Sequence, residues 1–189
     1  MKSVVAVAAA VLSAGLALST PASAQEERFE AWAVNLSNIG TGATSQVEIA
    51  ITRWSTDAER DRLVKAFTEK NEDALLAELQ KIKPPVGYIR TPNSMAWDLR
   101  FARQVPLPEG GRQIVIATDR RIGFREASQR PRSFDYPFTL IELHLDKEGI
   151  GEGRASIATK ITYDKEKKVL ALENYASEPV RLQNVRQMP

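Results

Sequence analysis

Hydrophobic and polar residues alternate along most of the chain. In residues 46–54, Val47, Ile49 and Ile51 fall on one side while Gln46, Glu48 and Thr52 fall on the other, the period-two pattern of a half-buried strand. Residues 29–34 read as a second strand, and the turn formers Asn38, Gly40 and Gly42 between the two runs predict a hairpin. The pattern then changes. Thr56 and Glu59 have the spacing of a capping box, and Leu63, Val64 and Phe67 form a narrow stripe at helical spacing, which predicts a helix over 57–69. Asn71 is placed to cap a second helix from 72 to about 82, striped by Leu75, Leu76, Leu79 and Ile82 and ended by Pro84 and Pro85.

Beyond the prolines the pattern predicts strands over 86–91, 95–104, 113–118, 138–145, 154–163 and 169–175. The connections around Gly110-Gly111, Asp146 to Gly149 and Asp164 to Lys167 are short and polar, so they join antiparallel neighbours; parallel strands would need long crossovers. The tail from 179 to 189 is ambiguous, with Val180, Leu182 and Val185 suited to a short edge strand. The expected fold is α+β: an antiparallel meander of about eight strands, forming a curved sheet or partly closed barrel, with an early two-helix hairpin packed against it.

The amino-terminal segment stands outside this pattern. Lys2 precedes an apolar run over 4–18, and Ala22-Ser23-Ala24 precedes Gln25, the build of a cleavable secretory signal peptide. The run of about 15 residues falls short of the ~20 needed to cross a bilayer, so the expectation is cleavage after Ala24, release to the periplasm or exterior, and no membrane span in the remaining body. That body, residues 25–189, reads as a single domain with no linker or tandem repeat.

Without the leader the net charge is +1, which gives no electrostatic bias toward nucleic acid. The chain has no cysteine. Thiol catalysis, thiolate metal sites and disulfides are therefore all excluded, and the core has to hold by packing alone.

His144 is the one histidine. In a strand it shares a face with Glu142, and such a pair can move a proton or offer two ligands to a metal. A zinc site needs a third protein ligand, so no metal or cofactor is expected, and the pair also reads as an ordinary solvated strand face. No Gly-x-Ser-x-Gly elbow is present. Gly40-Thr41-Gly42 and Gly151-Glu152-Gly153 open no predicted helix, so they read as turn or strand-edge glycines. Paired carboxylates for glycoside hydrolysis are a matter of spatial arrangement that sequence does not reveal.

Arginine density marks one segment. Arg120, Arg121, Arg125, Arg130 and Arg132 crowd a long connection, and Arg90, Arg100 and Arg103 lie just upstream. Guanidinium forks bind carboxylate, phosphate or sulfate oxygens, so Arg120, Arg121, Arg125 and Arg100 form a candidate ligand site, with Trp97 and Phe101 read either as its apolar walls or, more in keeping with their type, as core filling. Asp98, Asp119, Glu126 and Asp135 lie among these arginines and offer the competing reading of ordinary surface ion pairs.

The runs Ile51-Thr52-Arg53-Trp54-Ser55-Thr56, Val86-Gly87-Tyr88-Ile89-Arg90-Thr91 and Leu172-Glu173-Asn174-Tyr175 resemble segments of an uncharacterised family of exported bacterial proteins with no known activity. The resemblance implies a bacterial periplasmic setting and carries over no functional residue. The functional expectation is a non-enzymatic binding module for a small anionic or amphipathic ligand or an envelope partner. The alternatives are a metal-independent hydrolase using Glu142 and His144 and a purely structural envelope protein.

Overall fold

The computed structural model describes residues 26–35, 44–69, 72–92, 94–120, 122, 138–156, 161–164, 169–172 and 180–189. Eight strands close into an antiparallel barrel: β1 (Glu27–Asn35), β2 (Thr44–Ile51), β3 (Gly87–Arg90), β4 (Trp97–Pro106), β5 (Arg112–Thr118), β6 (Leu140–Leu145), β7 (Ile150–Ser156) and β10 (Val180–Met188). Their order around the wall is β1-β10-β7-β6-β5-β4-β3-β2. β8 (Ile161–Asp164) and β9 (Val169–Leu172) form a separate two-stranded sheet, and α1 (Asp57–Glu69) and α2 (Glu72–Lys81) lie between β2 and β3. The chain is thus mostly β, a closed barrel with two helices.

Closure depends on the segment whose pattern was ambiguous. The tail is a full strand, β10, paired on one side with β1 and on the other with β7, so it seals the wall where an edge strand was expected. The single strand expected over 154–163 is two, β7 and β8. β7 begins at Ile150 and takes in Gly151 and Gly153, so these glycines are strand residues and not turn residues. The space requires them: a Cβ on Gly151 would collide with the backbone carbonyl of His144. Gly149, by contrast, ends the β6–β7 turn at φ 77°, a conformation in which glycine carries no Cβ penalty.

Register shows which side chains face the barrel axis. Phe29 pairs with Ile49, Ile49 with Ile89, and Gly87 with Leu99, so these residues share one face. Phe29, Ile49, Ile89, Leu99, Ile114, Ile116, Ile141, Leu143 and Leu182 are all 0–1% exposed. An eight-stranded barrel has an interior just wide enough for side chains to fill, and here branched aliphatic residues fill it. On the opposite face of the same strands stand Arg28, Glu30, Glu48, Arg90 and Asp98. This wall is apolar inside and charged outside, the inverse of a lipid-facing barrel. Among the described residues no helix is long and apolar enough to cross a membrane.

The outer wall of β4–β6 is covered. Phe101, Val115, Ala117 and Leu140 face outward yet are at most 3% exposed, because α2 packs on β4 and β9 packs on β5 and α1. The helices bury the stripes read from the sequence: Leu63, Leu75, Leu79 and Ile82 join the core, and Phe67 and Leu76 pack against it. The expected capping box is present, with the Thr56 amide donating to Glu59 Oε2 at 2.8 Å and the Glu59 amide donating to Thr56 Oγ1 at 3.2 Å. The Asn71 cap lies outside the described residues.

Candidate functional site

Of the arginines expected to converge on an anion, Arg90, Arg100 and Arg103 are engaged by carboxylates. Arg100 is the extra residue of a bulge in β4, between Leu99 and Phe101, and its side chain is buried. Its Nε donates to Asp119 Oδ2 at 3.1 Å, Nη2 to Asp98 Oδ2 at 3.0 Å and Nη1 to the Ile82 carbonyl at 3.3 Å. Arg103 pairs with Asp57 at 2.8 Å and Arg90 with Glu48 at 2.7 Å. Arg120 is exposed, with its Nε 3.8 Å from Asp119, while Arg121 and Arg125 lie outside the described residues. The bulge also separates the two expected apolar walls. Trp97 pairs with the inward-facing Ile89, whereas Phe101 pairs with the outward-facing Ala117, so four residues of separation no longer mean one face.

Glu142 and His144 do share the outer face of β6, but that face is not solvated at Glu142, which is 4% exposed. His144 Nε2 and Arg154 Nη2 each lie 3.9 Å from Glu142 Oε2, beyond hydrogen-bond reach. Among the described residues no group of three metal-ligating side chains forms.

A different feature stands out on the wall formed by β1, β2 and β3. β3 is only four residues long and its last pair is Glu48 with Arg90. In this register the next partner of Gln46 would be residue 92, which is proline, with no N–H to offer a ladder. The chain turns away there, fastened by the Thr91 amide to Ser94 Oγ at 3.0 Å and the Ser94 amide to the Thr91 carbonyl at 3.1 Å. The step between β2 and the departing chain is a depression of about 360 Å³ lined by Glu30, Gln46, Glu48, Arg90, Thr91, Pro92 and Ser94.

The electrostatics of this wall are distinctive. Burial alone would push the Glu48 carboxyl up, but hydrogen bonds from Arg90 and Tyr88 and the Arg90 charge outweigh it and hold the group below its ordinary value. Burial, followed by the bond to Glu48, pushes the Tyr88 phenol up. Tyr88 donates to Glu48 Oε1 at 2.9 Å and Arg90 Nη2 to Oε2 at 2.7 Å, while the Arg90 guanidinium lies 5.5 Å from the Tyr88 ring centroid. Glu48 thus accepts three hydrogen bonds, and it stands directly across from Glu30.

No family model, curated protein or solved structure matches the chain. The site therefore rests on its own geometry.

Next to the depression lies Trp32, which is 47% exposed. It is the strand neighbour of Glu30 on the same face, and its direct partners are Gln46 on β2 and Gln183 on β10. β10 carries an extra residue beside it, with Asn184 at φ 51°, and such bulges re-aim side chains. The sequence held one sign of this surface: Phe29, Ala31 and Ala33 take the inward positions, which leaves Trp32 among polar outward ones.

A second depression, of about 790 Å³, lies at the barrel end near Trp54, Arg112 and Gln187. Arg112 caps that end. It donates to Glu27 Oε2 at 2.6 Å, Gln187 Oε1 at 2.9 Å and Gln104 Oε1 at 2.6 Å, and it lies 5.7 Å from the Phe29 ring centroid. Its guanidinium is consumed by closing the interior.

Proposed function

We propose that the chain is an exported, non-enzymatic binding module that holds a small amphipathic ligand on the outer wall of its barrel. The export part rests on residues 2–24. The binding part rests above all on one observation: a half-exposed indole, Trp32, stands beside a polar depression whose Glu30 carboxylate has no hydrogen-bond or ion-pair partner among the described residues. The packed barrel axis favours the wall over the lumen as the place for a ligand. The engagement of Arg90, Arg100 and Arg103 by carboxylates moves the preferred ligand class from anionic to amphipathic.

Nuclear magnetic resonance titration with a library of small amphipathic compounds tests this reading. The expected result is that binders shift signals of Glu30, Trp32 and Gln46. Binders that shift only residues around Arg112, or only those around Arg120, overturn the proposed location.

A hydrolytic reading has one observation in its favour, the buried Glu142 carboxylate facing His144 Nε2. It requires that any turnover by the purified protein disappear in His144→Ala; unchanged turnover ends it.

A further inference from the structure

The polar groups around Trp32 narrow the ligand class. Its cross-strand partners on both sides are primary amides, Gln46 and Gln183. Next to them come the carboxylates of Glu30 and Glu48 and the guanidinium of Arg90, with the hydroxyls of Thr91 and Ser94 on the far rim of the depression. Arg181 and Arg186 stand on β10, across from Val34 and Glu30. Two carboxylates and three guanidiniums are thus placed around the indole, and Glu48 and Arg90 are paired with each other, so charges of both signs surround it.

Three properties of a ligand follow. It needs an apolar face to cover an aromatic ring, because a half-exposed indole gains most from a flat partner that excludes water from it. It needs many hydroxyl or amide groups around its edge, because planar side chains that both donate and accept reward a partner that does both. It needs no strong net charge, because the surroundings carry both signs. A pyranose ring meets all three, with axial C–H groups on one face and hydroxyls on the rim. A fatty chain lacks the polar rim, and a free phosphate or carboxylate lacks the apolar face.

We infer that the Trp32 surface is a saccharide-binding site, in which an uncharged pyranose stacks on the indole while Gln46, Glu30 and Gln183 hydrogen-bond its hydroxyls and the next sugar unit occupies the depression bounded by Arg90 and Ser94. This rests on the binding-module reading above and adds the ligand class to it.

The test uses the protein purified as its host exports it, labelled with ¹⁵N, and follows the Trp32 indole N–H signal, identified by its loss in Trp32→Phe. Chitotetraose and maltohexaose are the saccharide probes, and benzyltrimethylammonium and octyl sulfobetaine are amphipathic probes with no sugar ring. The expected result is a saturable shift with at least one saccharide. Affinity, followed through the Gln46 amide, should fall about tenfold in Trp32→Ala and stay within about threefold of the parent in Trp32→Phe. An exposed position of this kind tolerates both changes without unfolding, which unchanged amide spectra elsewhere in the barrel verify. If only the sugar-free probes shift Trp32, the saccharide assignment falls and the binding surface stands. If no probe shifts it, both fall.

Discussion

Ser55 and Ala102 hold the barrel shut where β3 has not yet begun. The Ser55 amide donates to the Ala102 carbonyl at 2.8 Å, and the Ala102 amide donates back to the Ser55 hydroxyl at 3.0 Å. Ser55 thus stands in for one residue of a neighbouring antiparallel strand, its hydroxyl taking the place of the carbonyl. Ser55→Ala leaves a buried amide without an acceptor, and a loss of about 1–3 kcal/mol is expected. Urea unfolding midpoints of the two proteins check it, and an unchanged midpoint would mean that water replaces the hydroxyl at no cost.

Arg100 is expected to matter for stability more than for binding. With side-chain exposures of 10% and 9%, Arg100 and Asp119 form the most enclosed ion pair on the described wall. Arg100→Met leaves the buried Asp119 carboxylate with only the exposed Arg120, 3.8 Å away, with an expected cost of about 3 kcal/mol. An Arg100→Met, Asp119→Leu double variant should recover part of that loss, because no charge is then left buried alone. Chemical denaturation of the three variants provides the comparison.

Stability should fall on the acid side for a reason visible at the start of α1. Hydrogen bonds from Arg53 oppose the burial of Glu59 and, with the Thr56 amide, hold its carboxyl below the ordinary value of 4.5. The folded state therefore binds fewer protons than the unfolded state in this range. The contribution is complete above the unfolded value and is lost as pH drops through the folded one. Glu48 is lowered too and adds a contribution of the same sign. Glu59→Gln is expected to be less stable at neutral pH and to show a flatter decline from about pH 5 downward, as measured by unfolding midpoints across that range.

Gly151→Ala is the smallest possible change with a large expected effect. The added carbon meets the His144 backbone, which cannot rotate away as a side chain would, so β7 has to separate from β6. A loss of about 1–3 kcal/mol or more follows. Thermal unfolding checks it, with Gly110→Ala as a comparison in which the opposing atoms belong to the flexible Lys147 side chain but the φ of 79° adds backbone strain.

The sequence made local order legible where a segment's own residues determine it. The Thr56–Glu59 box marked the start of α1 because its hydrogen bonds are local, and the stripes of Leu63 and of Leu75, Leu79 and Ile82 marked buried helix faces because periodicity reports burial directly. What it hid depends on partners distant in the chain. Gly151 and Gly153 read as turn or strand-edge glycines because nothing local reveals that a neighbouring backbone presses against them. The Arg100 bulge is one extra residue that reverses the inside and outside of everything after it, so Trp97 and Phe101, both read as pocket walls, fall on opposite faces. The candidate site was obscured for the same reason. Glu30, Glu48 and Arg90 are brought side by side by strand register, and the chemistry of the wall is a row across strands that no stretch of the chain contains.

The pairing of β1 with β10 has a consequence for how the molecule is made. A polypeptide that emerges amino end first has to keep one flank of Glu27–Asn35 bare until Val180–Met188 arrives, although the hairpins between them can form as they appear. The final nine-residue strand is therefore the latch. A carboxy-truncated chain presents an open sheet margin, the kind of surface that invites unwanted partners. The same adjacency places Arg28 opposite Met188, so joining Glu26 to Pro189 through a short linker and cutting at the β4–β5 turn would give a permuted chain in which this seam is formed in the middle of synthesis.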